Sequence, residues 1–338
     1  MRELLKKMSA ELEAGGDVVL VTVIASSGAT PRGAGARMLI TAKGRAAGTI
    51  GGGAVEYRSE QIAAGVLKEK QSMTQAFTLT KEDVNNLGMI CGGAVTIYFH
   101  YVPAGDKTVI ALLHEAERRF ENGDDLWLVT EVSGAGALGL YTRDAGFQFL
   151  DVPEELLGAL KAKPRTVTVG ERKFYVEKLA SSATVYVFGC GHVGQALVPV
   201  LEKVGFRCVA LDDRPDFANR TLFPDADEVK VIDLEHISDS VTIGPEDYVV
   251  VMTRGHMFDT IVQAQALRTP CCYIGVIGSH HKKAGVFQKL REMGFTDTDL
   301  ERITTPIGLE IAAETPAEIS ISIAAQLIEL RARRNAEA

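Results

Sequence analysis

The sequence predicts an α/β protein with two domains: an N-terminal mixed α+β domain, followed by a C-terminal Rossmann-like domain built on a doubly wound parallel sheet. Three observations lead to this fold class. The chain has 338 residues, which is too long for one ordinary hydrophobic core. From Val185 onward, strand-like and helix-like stretches alternate, as they do in parallel sheets. The first of these strand–helix junctions carries the glycine-rich run VFGCGHVGQAL.

The composition is that of a soluble globular protein, with 46% hydrophobic and 24% charged residues. The formal net charge of −8 argues against a nucleic-acid partner, which would require a basic face. No apolar run approaches the roughly 20 residues of a membrane span, and the first residues form an amphipathic helical pattern rather than a signal peptide. Five irregularly spaced cysteines suit a reducing compartment. We therefore expect a cytoplasmic protein.

The N-terminal half alternates buried-strand patterns with glycine-rich loops. It begins with the valine-rich strand DVVLVTVIAS, the glycine-rich loop SGATPRGAGA and a second strand, RMLIT. The turn AKGR and the glycine run GTIGGGAVE, which enters a helix, come next. A third strand (MTQAFTLT), a loop (NNLGMICGG) and a fourth strand (AVTIYFHYV) follow. Residues 107–122 then have a helical pattern, and short strands over about 125–180 predict a small mixed sheet. The small, polar stretch LASSAT marks the boundary, which gives domains 1–180 and 181–338.

The C-terminal half repeats a strand–helix unit. Its predicted strands are VYVFG, RCVALDD, KVIDL, YVVVMT and CYIGVIG, and its first helix is HVGQALVPVLEKVG. A long amphipathic helix closes the chain, beginning at Pro316 with Thr315 as its N-cap.

The run VFGCGHVGQAL has the spacing of a dinucleotide-binding fingerprint. Gly189 allows the tight turn after the strand, Gly191 lets backbone approach a pyrophosphate, and Gly194 lets the helix pack closely on the strand. Asp212 ends the second strand, where a ribose hydroxyl would be met. The alternative is a glycine turn in a doubly wound domain whose site is empty or degenerate. The pattern favours binding of a nucleotide-like cofactor such as NAD(P), but it does not establish chemistry.

An NAD(P)-dependent oxidoreductase acting on a small molecule would also need a proton donor near the cofactor. His256, in TRGHMFD, follows the fourth strand at the carboxyl edge and is a candidate acid, a candidate ligand contact, or neither. Gly278 and Ser279, in YIGVIGSHHKK, precede a helix whose first turns carry Lys282 and Lys283. These cations face either an anion such as a phosphate or solvent.

Motifs in both halves together resemble one family, the XdhC/CoxI family of xanthine dehydrogenase accessory proteins. The resemblance covers most of the chain except roughly residues 103–180. It rests on Arg32 in ATPRGAGARMLI, GTIGGGAVE ending in Glu56, MICGG around Cys91, and then VFGCGHVGQAL, VALDDRP, TRGHMFD, YIGVIGS and PIGLEIAAETPAEISISIAAQLI, in that order. Some CoxI-like members have a cysteine in the glycine run before Val-Glu; Ala54 stands here, which favours the xanthine dehydrogenase branch.

The resemblance implies a maturation factor rather than an enzyme. Members of this family are similar in binding the molybdenum cofactor, a molybdopterin, and in supporting its sulfuration by a cysteine desulfurase. They deliver it to xanthine dehydrogenase or a related molybdenum hydroxylase, and a homodimer is the usual form. The hypothesis of an NAD(P)-dependent oxidoreductase stays open beside this one.

The resemblance makes Cys91 the candidate sulfur or molybdenum contact. Molybdenum in its sulfur-rich complex is soft enough for a thiolate ligand, and Gly92 and Gly93 let backbone come close to a bulky ligand. The alternative is a small buried hydrophobic residue at the start of a strand.

Five residues in the N-terminal loops are suited to the pterin and its phosphate. Arg32 offers a planar fork to a phosphate or a carbonyl, and the backbone of Gly51, Gly52 and Gly53 can form an anion-binding nest. Glu56, in the first turn of the helix after the glycine run, either complements the dipole of that helix or binds the amino-pyrimidine edge of the pterin.

Overall fold

The computed structural model describes residues 1–28, 30, 32–78, 93–134, 136–180, 183–254, 256–278 and 280–337. The chain divides into two compact units, Met1–Ser181 and Ser182–Glu337. Each is described by itself.

The first unit contains a five-stranded antiparallel sheet in the order β3-β2-β1-β5-β4. Its central strand is rich in β-branched valine, which favours extended backbone, and its first seven residues are buried. The strands are β1 (Val18–Ser27), β2 (Arg37–Thr41), β3 (Gly44–Thr49), β4 (Met73–Thr78) and β5 (Ala94–Val102).

In the described part of this unit, three helices cover the sheet: α1 (Arg2–Glu13), α2 (Gly53–Glu69) and α3 (Lys107–Asn122). α2 packs on one face through Val55, Ala63 and Val66, and α1 and α3 share a second core with the other face. α3 begins at an aspartate cap, because the Asp106 carboxylate accepts hydrogen bonds from two amides of the first turn.

A second five-stranded sheet completes this unit, in the order β8-β7-β6-β10-β9. Its strands are β6 (Leu126–Glu131), β7 (Ala137–Thr142), β8 (Gly146–Gln148), β9 (Arg165–Val169) and β10 (Arg172–Ala180), with a 3-10 helix at Glu154–Ala159. All of its pairs are antiparallel rather than mixed. Three of its four pairs join consecutive strands through hairpin connections, which are too short for the crossover that a parallel pair needs. A buried ion pair between Arg37 and Glu177 joins the two sheets.

The second unit is the doubly wound α/β domain that the alternating pattern predicts. Six parallel strands lie in the order β13-β12-β11-β14-β15-β16. They are β11 (Thr184–Phe188), β12 (Arg207–Asp212), β13 (Glu228–Val231), β14 (Tyr248–Val251), β15 (Tyr273–Val276) and β16 (Ile303–Thr304). The order reverses around β11, so the mouth between the carboxyl ends of β11 and β14 is the switch point where ligands of such sheets bind.

Helices cover both faces of this sheet: α4 (His192–Lys203), α5 (His256–Leu267), α6 (His280–Glu292), α7 (Asp297–Glu301) and α8 (Pro316–Glu337). α4 and α8 share one core with the sheet, and α5 packs into the core on the other face. The predicted cap of the last helix is present, since the Thr315 hydroxyl accepts a hydrogen bond from the Glu318 amide at 3.3 Å. No helix in the described part of the chain is long and apolar enough to cross a membrane.

Candidate functional site

The fingerprint turn joins β11 to α4, and two of its glycines are required by close packing. Gly189 has a φ of +118°, and a Cβ there would overlap the backbone carbonyl of Met252 on the neighbouring strand. A Cβ on Gly194 would overlap the Gly189 carbonyl oxygen, because the first turn of α4 lies directly on the turn. Neither position can take a larger residue without moving the backbone.

Gly191 is different, because it faces open space. It is the N-cap of α4, no side chain caps that helix, and no atom lies within 4 Å of the place where a Cβ would stand. Free amides at a helix N-terminus attract anions through their N–H groups and the helix dipole. The geometry of this turn therefore accommodates a phosphate or pyrophosphate.

Asp212, at the end of β12, is committed to contacts within the protein. Its side chain is only 3% exposed, and Oδ2 accepts a hydrogen bond from the Cys190 amide at 2.8 Å. The Arg214 guanidinium donates to both carboxylate oxygens, from Nε to Oδ1 at 2.8 Å and from Nη2 to Oδ2 at 3.0 Å. The Arg214 amide adds a further bond to Oδ1 at 3.1 Å. Four donors satisfy the carboxylate, so it holds the fingerprint turn and Arg214 in place.

The electrostatics agree with this structural role. Burial raises the pKa of Asp212, but the Arg214 guanidinium and the Cys190 amide outweigh burial and hold that pKa below its ordinary value. Arg214 also stacks on the Phe217 ring, with its guanidinium carbon 3.8 Å from the ring centroid. Beside it, Arg254 donates to Asp213 Oδ2 at 2.9 Å. Two arginines thus stand at the carboxyl edge, after the two strands that flank β11.

The other predicted residues of this edge are only partly described. Gly278 is half-buried and lies near Thr305, whose hydroxyl oxygen would be 3.6 Å from a Cβ there. Ser279 and the side chain of His256 lie outside the described residues, although His256 is the first residue of α5. Just before α5, the Thr253 hydroxyl donates to Oδ1 of Asp259, which lies in the first turn of that helix, at 2.6 Å.

The glycine run of the first unit forms a loop whose backbone amides bind the Glu56 carboxylate. Gly51, Gly52 and Gly53 all have positive φ, at +123°, +76° and +66°. The buried Glu56 side chain folds back over this loop, and Oε2 accepts hydrogen bonds from the Ile50 amide at 2.9 Å and from the Gly52 amide at 3.1 Å. The amides that the sequence offers to a ligand anion are therefore partly occupied by a protein anion.

Two more groups bind the Glu56 carboxylate: the Thr49 hydroxyl donates to Oε2 and the Arg45 guanidinium to Oε1. Burial raises the pKa of Glu56, but the hydrogen bonds from Thr49, Gly52 and Ile50, together with the charge of Arg45, more than compensate. The pKa of Glu56 is lowered as a result, and the group is ionised at neutral pH.

The remaining N-terminal candidates are only partly described. Arg32 is exposed in the loop between β1 and β2, and Gly93 is buried immediately before β5. Cys91 and Gly92 lie outside the described residues. Within the described ranges, no group of three or more His, Cys, Asp or Glu residues is arranged to hold a metal ion.

Burial keeps three of the four described cysteines protonated. Burial raises the pKa of Cys190 to about 12 and that of Cys272 to about 11. Burial also raises the pKa of Cys208 well above its ordinary value. A thiol with such a pKa is protonated at neutral pH and is a poor nucleophile or metal ligand.

Sequence reasoning missed two arginines that shape these sites, Arg45 and Arg214. The run VALDDRP places Arg214 two residues after Asp212, and this spacing was the available signal for a local ion pair. Arg45 reaches Glu56 only because β3 pairs with β2 and brings the two segments together.

Comparison with known proteins relates both units to one family. A family model described as the XdhC Rossmann domain matches residues 185–327, and one described as the XdhC and CoxI family matches residues 11–78. The chain is 24% identical to a Bacillus subtilis (strain 168) protein named as a probable subunit of xanthine dehydrogenase, over 96% of this chain and 97% of that protein. It is 20% identical to the molybdenum cofactor insertion chaperone PaoD of Escherichia coli (strain K12), over 98% of this chain and 88% of PaoD.

Among solved structures, the chain resembles a Bacillus halodurans protein described as a xanthine dehydrogenase. The TM-score is 0.80 at 25% sequence identity, and the match covers 98% of this chain and 96% of the other. The likeness therefore extends over both units rather than over the parallel sheet alone.

Proposed function

The chain belongs to the XdhC and CoxI family, and from that premise we propose that it is a chaperone that binds molybdenum cofactor and inserts it into a molybdenum-containing enzyme. The observation that carries the proposal is the likeness to a named insertion chaperone over 98% of this chain. A match of that extent includes the glycine loops of both units, whereas a shared nucleotide-binding fold would account for the second unit only.

Each unit, taken by itself, offers a group suited to part of a phosphate-bearing pterin. In the second unit, the N-terminus of α4 has no side-chain cap and Gly191 faces open space, which suits a phosphate. In the first unit, the exposed Arg32 suits a phosphate or a carbonyl. In this proposal Glu56 keeps the glycine loop in shape through the Ile50 and Gly52 amides. This role is one that neither of the two sequence-based interpretations of Glu56 included.

The proposal extends to sulfuration and to partners. When bound, the cofactor supplies the molybdenum centre that the client hydroxylase requires, and the chain's own residues bind it, orient it and exclude water from it. Cys91 is the candidate thiol for contact with molybdenum or for transient carriage of sulfur from a cysteine desulfurase. We propose xanthine dehydrogenase or a related molybdenum hydroxylase as the client, and a homodimer in the cytoplasm as the working form.

The test is co-purification followed by transfer. The protein is purified from a host that makes molybdenum cofactor, and its molybdenum content and its oxidised-pterin fluorescence are measured. The loaded protein is then mixed with a cofactor-free hydroxylase, whose recovered activity reports insertion. Titration with NAD and NADP runs alongside. Nucleotide binding with hydride turnover and no pterin would contradict the chaperone function and support the oxidoreductase hypothesis.

A cysteine exchange tests the role of Cys91. Cys91→Ala should lower cofactor retention or the recovered activity while thermal unfolding stays unchanged. Cys272→Ala is the matched control, because that thiol is half-buried with a raised pKa and should not matter. Equal reconstitution by the two variants would rule out the thiol role and leave the chaperone function standing.

A further inference from the structure

The first unit contains a cavity of about 580 Å³, away from the glycine loop and from Glu56. It lies between the end of β5, the start of α3, the β6–β7 connection and the segment that joins α2 to β4. Apolar groups such as Leu138 and Phe149 line it together with Ser72, His100, Tyr101 and Asp106. Polar and apolar groups contribute about equally to this lining, and a cleft of this size can hold a small organic molecule.

The backbone around the cavity is held in an unusual conformation. Among the described residues, Lys70, Phe149 and Ala312 are the non-glycine residues with positive φ, and the first two line this cavity, at +57° and +65°. Lys70 takes this conformation as the left-handed C-cap that ends α2, where its amide donates to the Val66 carbonyl. Phe149 ends no helix and packs against the core that α1 and α3 share with the sheet.

His100 supplies a neutral imidazole to the cavity wall. The residue is 5% exposed and stacks on Tyr98, with ring centroids 5.6 Å apart. Its Nδ1 is buried and has no hydrogen-bond partner in the part of the chain that the structure describes. Burial lowers the pKa of His100 to about 4, so at neutral pH the ring has one N–H donor and one nitrogen acceptor.

Asp106 supplies a carboxylate at the start of α3. Oδ1 accepts hydrogen bonds from the Thr108 and Val109 amides, each at 3.0 Å. Oδ2 makes no hydrogen bond with a described residue, although Asp106 is close enough to favour the protonated form of His100. One acceptor of this carboxylate is therefore available to an N–H group of a ligand.

The charges around the cavity disfavour an anion. The cation on its wall is Lys70, whose Nζ lies 3.7 Å from the Asp17 carboxylate and is shared with it. Asp106 has no such neutralising partner among the described residues. A phosphate-bearing ligand would meet net repulsion here, whereas a neutral ring with N–H groups would not.

We propose that this cavity is a second ligand site, which binds a neutral fused nitrogen heterocycle of the purine or pterin type without a phosphate. A ring N–H donates to Asp106 Oδ2, His100 Nε2 pairs with a ring nitrogen or oxygen, and one flat face of the ring lies against Phe149. The proposal uses none of the residues assigned to molybdenum cofactor, so either proposal can fail while the other stands.

The test is fluorescence titration of the full chain with 2-aminopurine, followed by competition. Saturable quenching is expected. Displacement by hypoxanthine would identify the ligand as a purine, and displacement by free pterin would identify it as a pterin. Absence of saturable quenching, or equally tight binding of guanosine monophosphate, would overturn the proposal.

Two variants tie the binding to this cavity. Asp106→Asn keeps a good helix cap but removes the charge, and should weaken 2-aminopurine binding about tenfold or more. Thr108→Phe fills the cavity from an exposed position, and Lys107→Phe is its matched control outside the lining. Thr108→Phe should abolish binding and Lys107→Phe should preserve it. Wild-type affinity in both Asp106→Asn and Thr108→Phe would refute the assignment. Molybdenum content should be unchanged in all three.

Discussion

Replacing Asp212 with asparagine distinguishes a structural carboxylate from a ligand contact. The Asp212 side chain is 3% exposed and its partner Arg214 is 25% exposed. Asparagine can still accept the Cys190 amide with its oxygen, but its NH₂ group would face the guanidinium. Breaking a fully buried ion pair costs about 3–5 kcal/mol; because water reaches Arg214, we expect a smaller loss of about 1.5–3 kcal/mol.

Thermal unfolding measures this loss. For a unit of this size, a loss of about 2 kcal/mol lowers Tm by roughly 4–8 °C. Asp297→Asn is the matched control, because Asp297 pairs with Arg291 on the exposed surface of the same unit and should cost less than about 1 kcal/mol. Circular dichroism at neutral pH, followed through the melting of the second unit, compares the two variants with the wild type.

The pH dependence gives a second readout of the same change. The folded-state pKa of Asp212 is lowered, so its contribution to stability is present above its unfolded pKa of about 3.9 and is lost as pH falls through the folded value. The difference between wild type and Asp212→Asn should thus be constant over neutral pH and shrink in acid. If Asp212→Asn melted like the wild type and instead lost affinity for a nucleotide, Asp212 would be a ribose ligand and the structural argument would be wrong.

Three further predictions concern other groups. Glu56→Gln removes the charged acceptor of the glycine loop and should cost about 2–3 kcal/mol in urea unfolding; no loss would show that the loop holds its own shape. Gly194→Ala should lower the free energy of unfolding by about 1–3 kcal/mol, because its Cβ overlaps the Gly189 carbonyl. Gly191→Ala should stay within about 0.5 kcal/mol of the wild type, and equal losses in the two variants would contradict the packing argument. His100 has a folded pKa of about 4 against about 6.5 unfolded, so stability should fall by up to about 3 kcal/mol as pH drops from 6.5 to 4. His100→Phe should remove that slope, and an unchanged slope would refute the shift.

The parallel sheet was predictable from the sequence because its signals are local. Valine-rich strands, a glycine fingerprint and capped helices each determine structure within a few residues. β11, β12 and β14 follow their predicted strands closely, whereas β13 (Glu228–Val231) overlaps the predicted KVIDL by only two residues. β3 (Gly44–Thr49) was missed because GRAAGT lacks the β-branched and aromatic residues that mark strands. It forms through pairing with β2, which is a tertiary effect.

The sites were less predictable, because the chemistry of a site depends on which hydrogen-bond partners the fold brings to each side chain. Residue spacing placed Asp212 beside a ribose, but Arg214 and the Cys190 amide take up its oxygens. The cavity around His100 had no sequence signal, since its wall combines residues from four separated segments.

The burial of the thiols has a preparative consequence. Cys190 and Cys272, with pKa values of about 12 and 11, should alkylate slowly under mild conditions. A brief treatment with iodoacetamide at neutral pH would then mark Cys91 ahead of them if that residue is accessible. Peptide mass spectrometry would then compare the alkylation of Cys91 with and without the client hydroxylase, so that a native cysteine reports on the contact and no engineered label is needed.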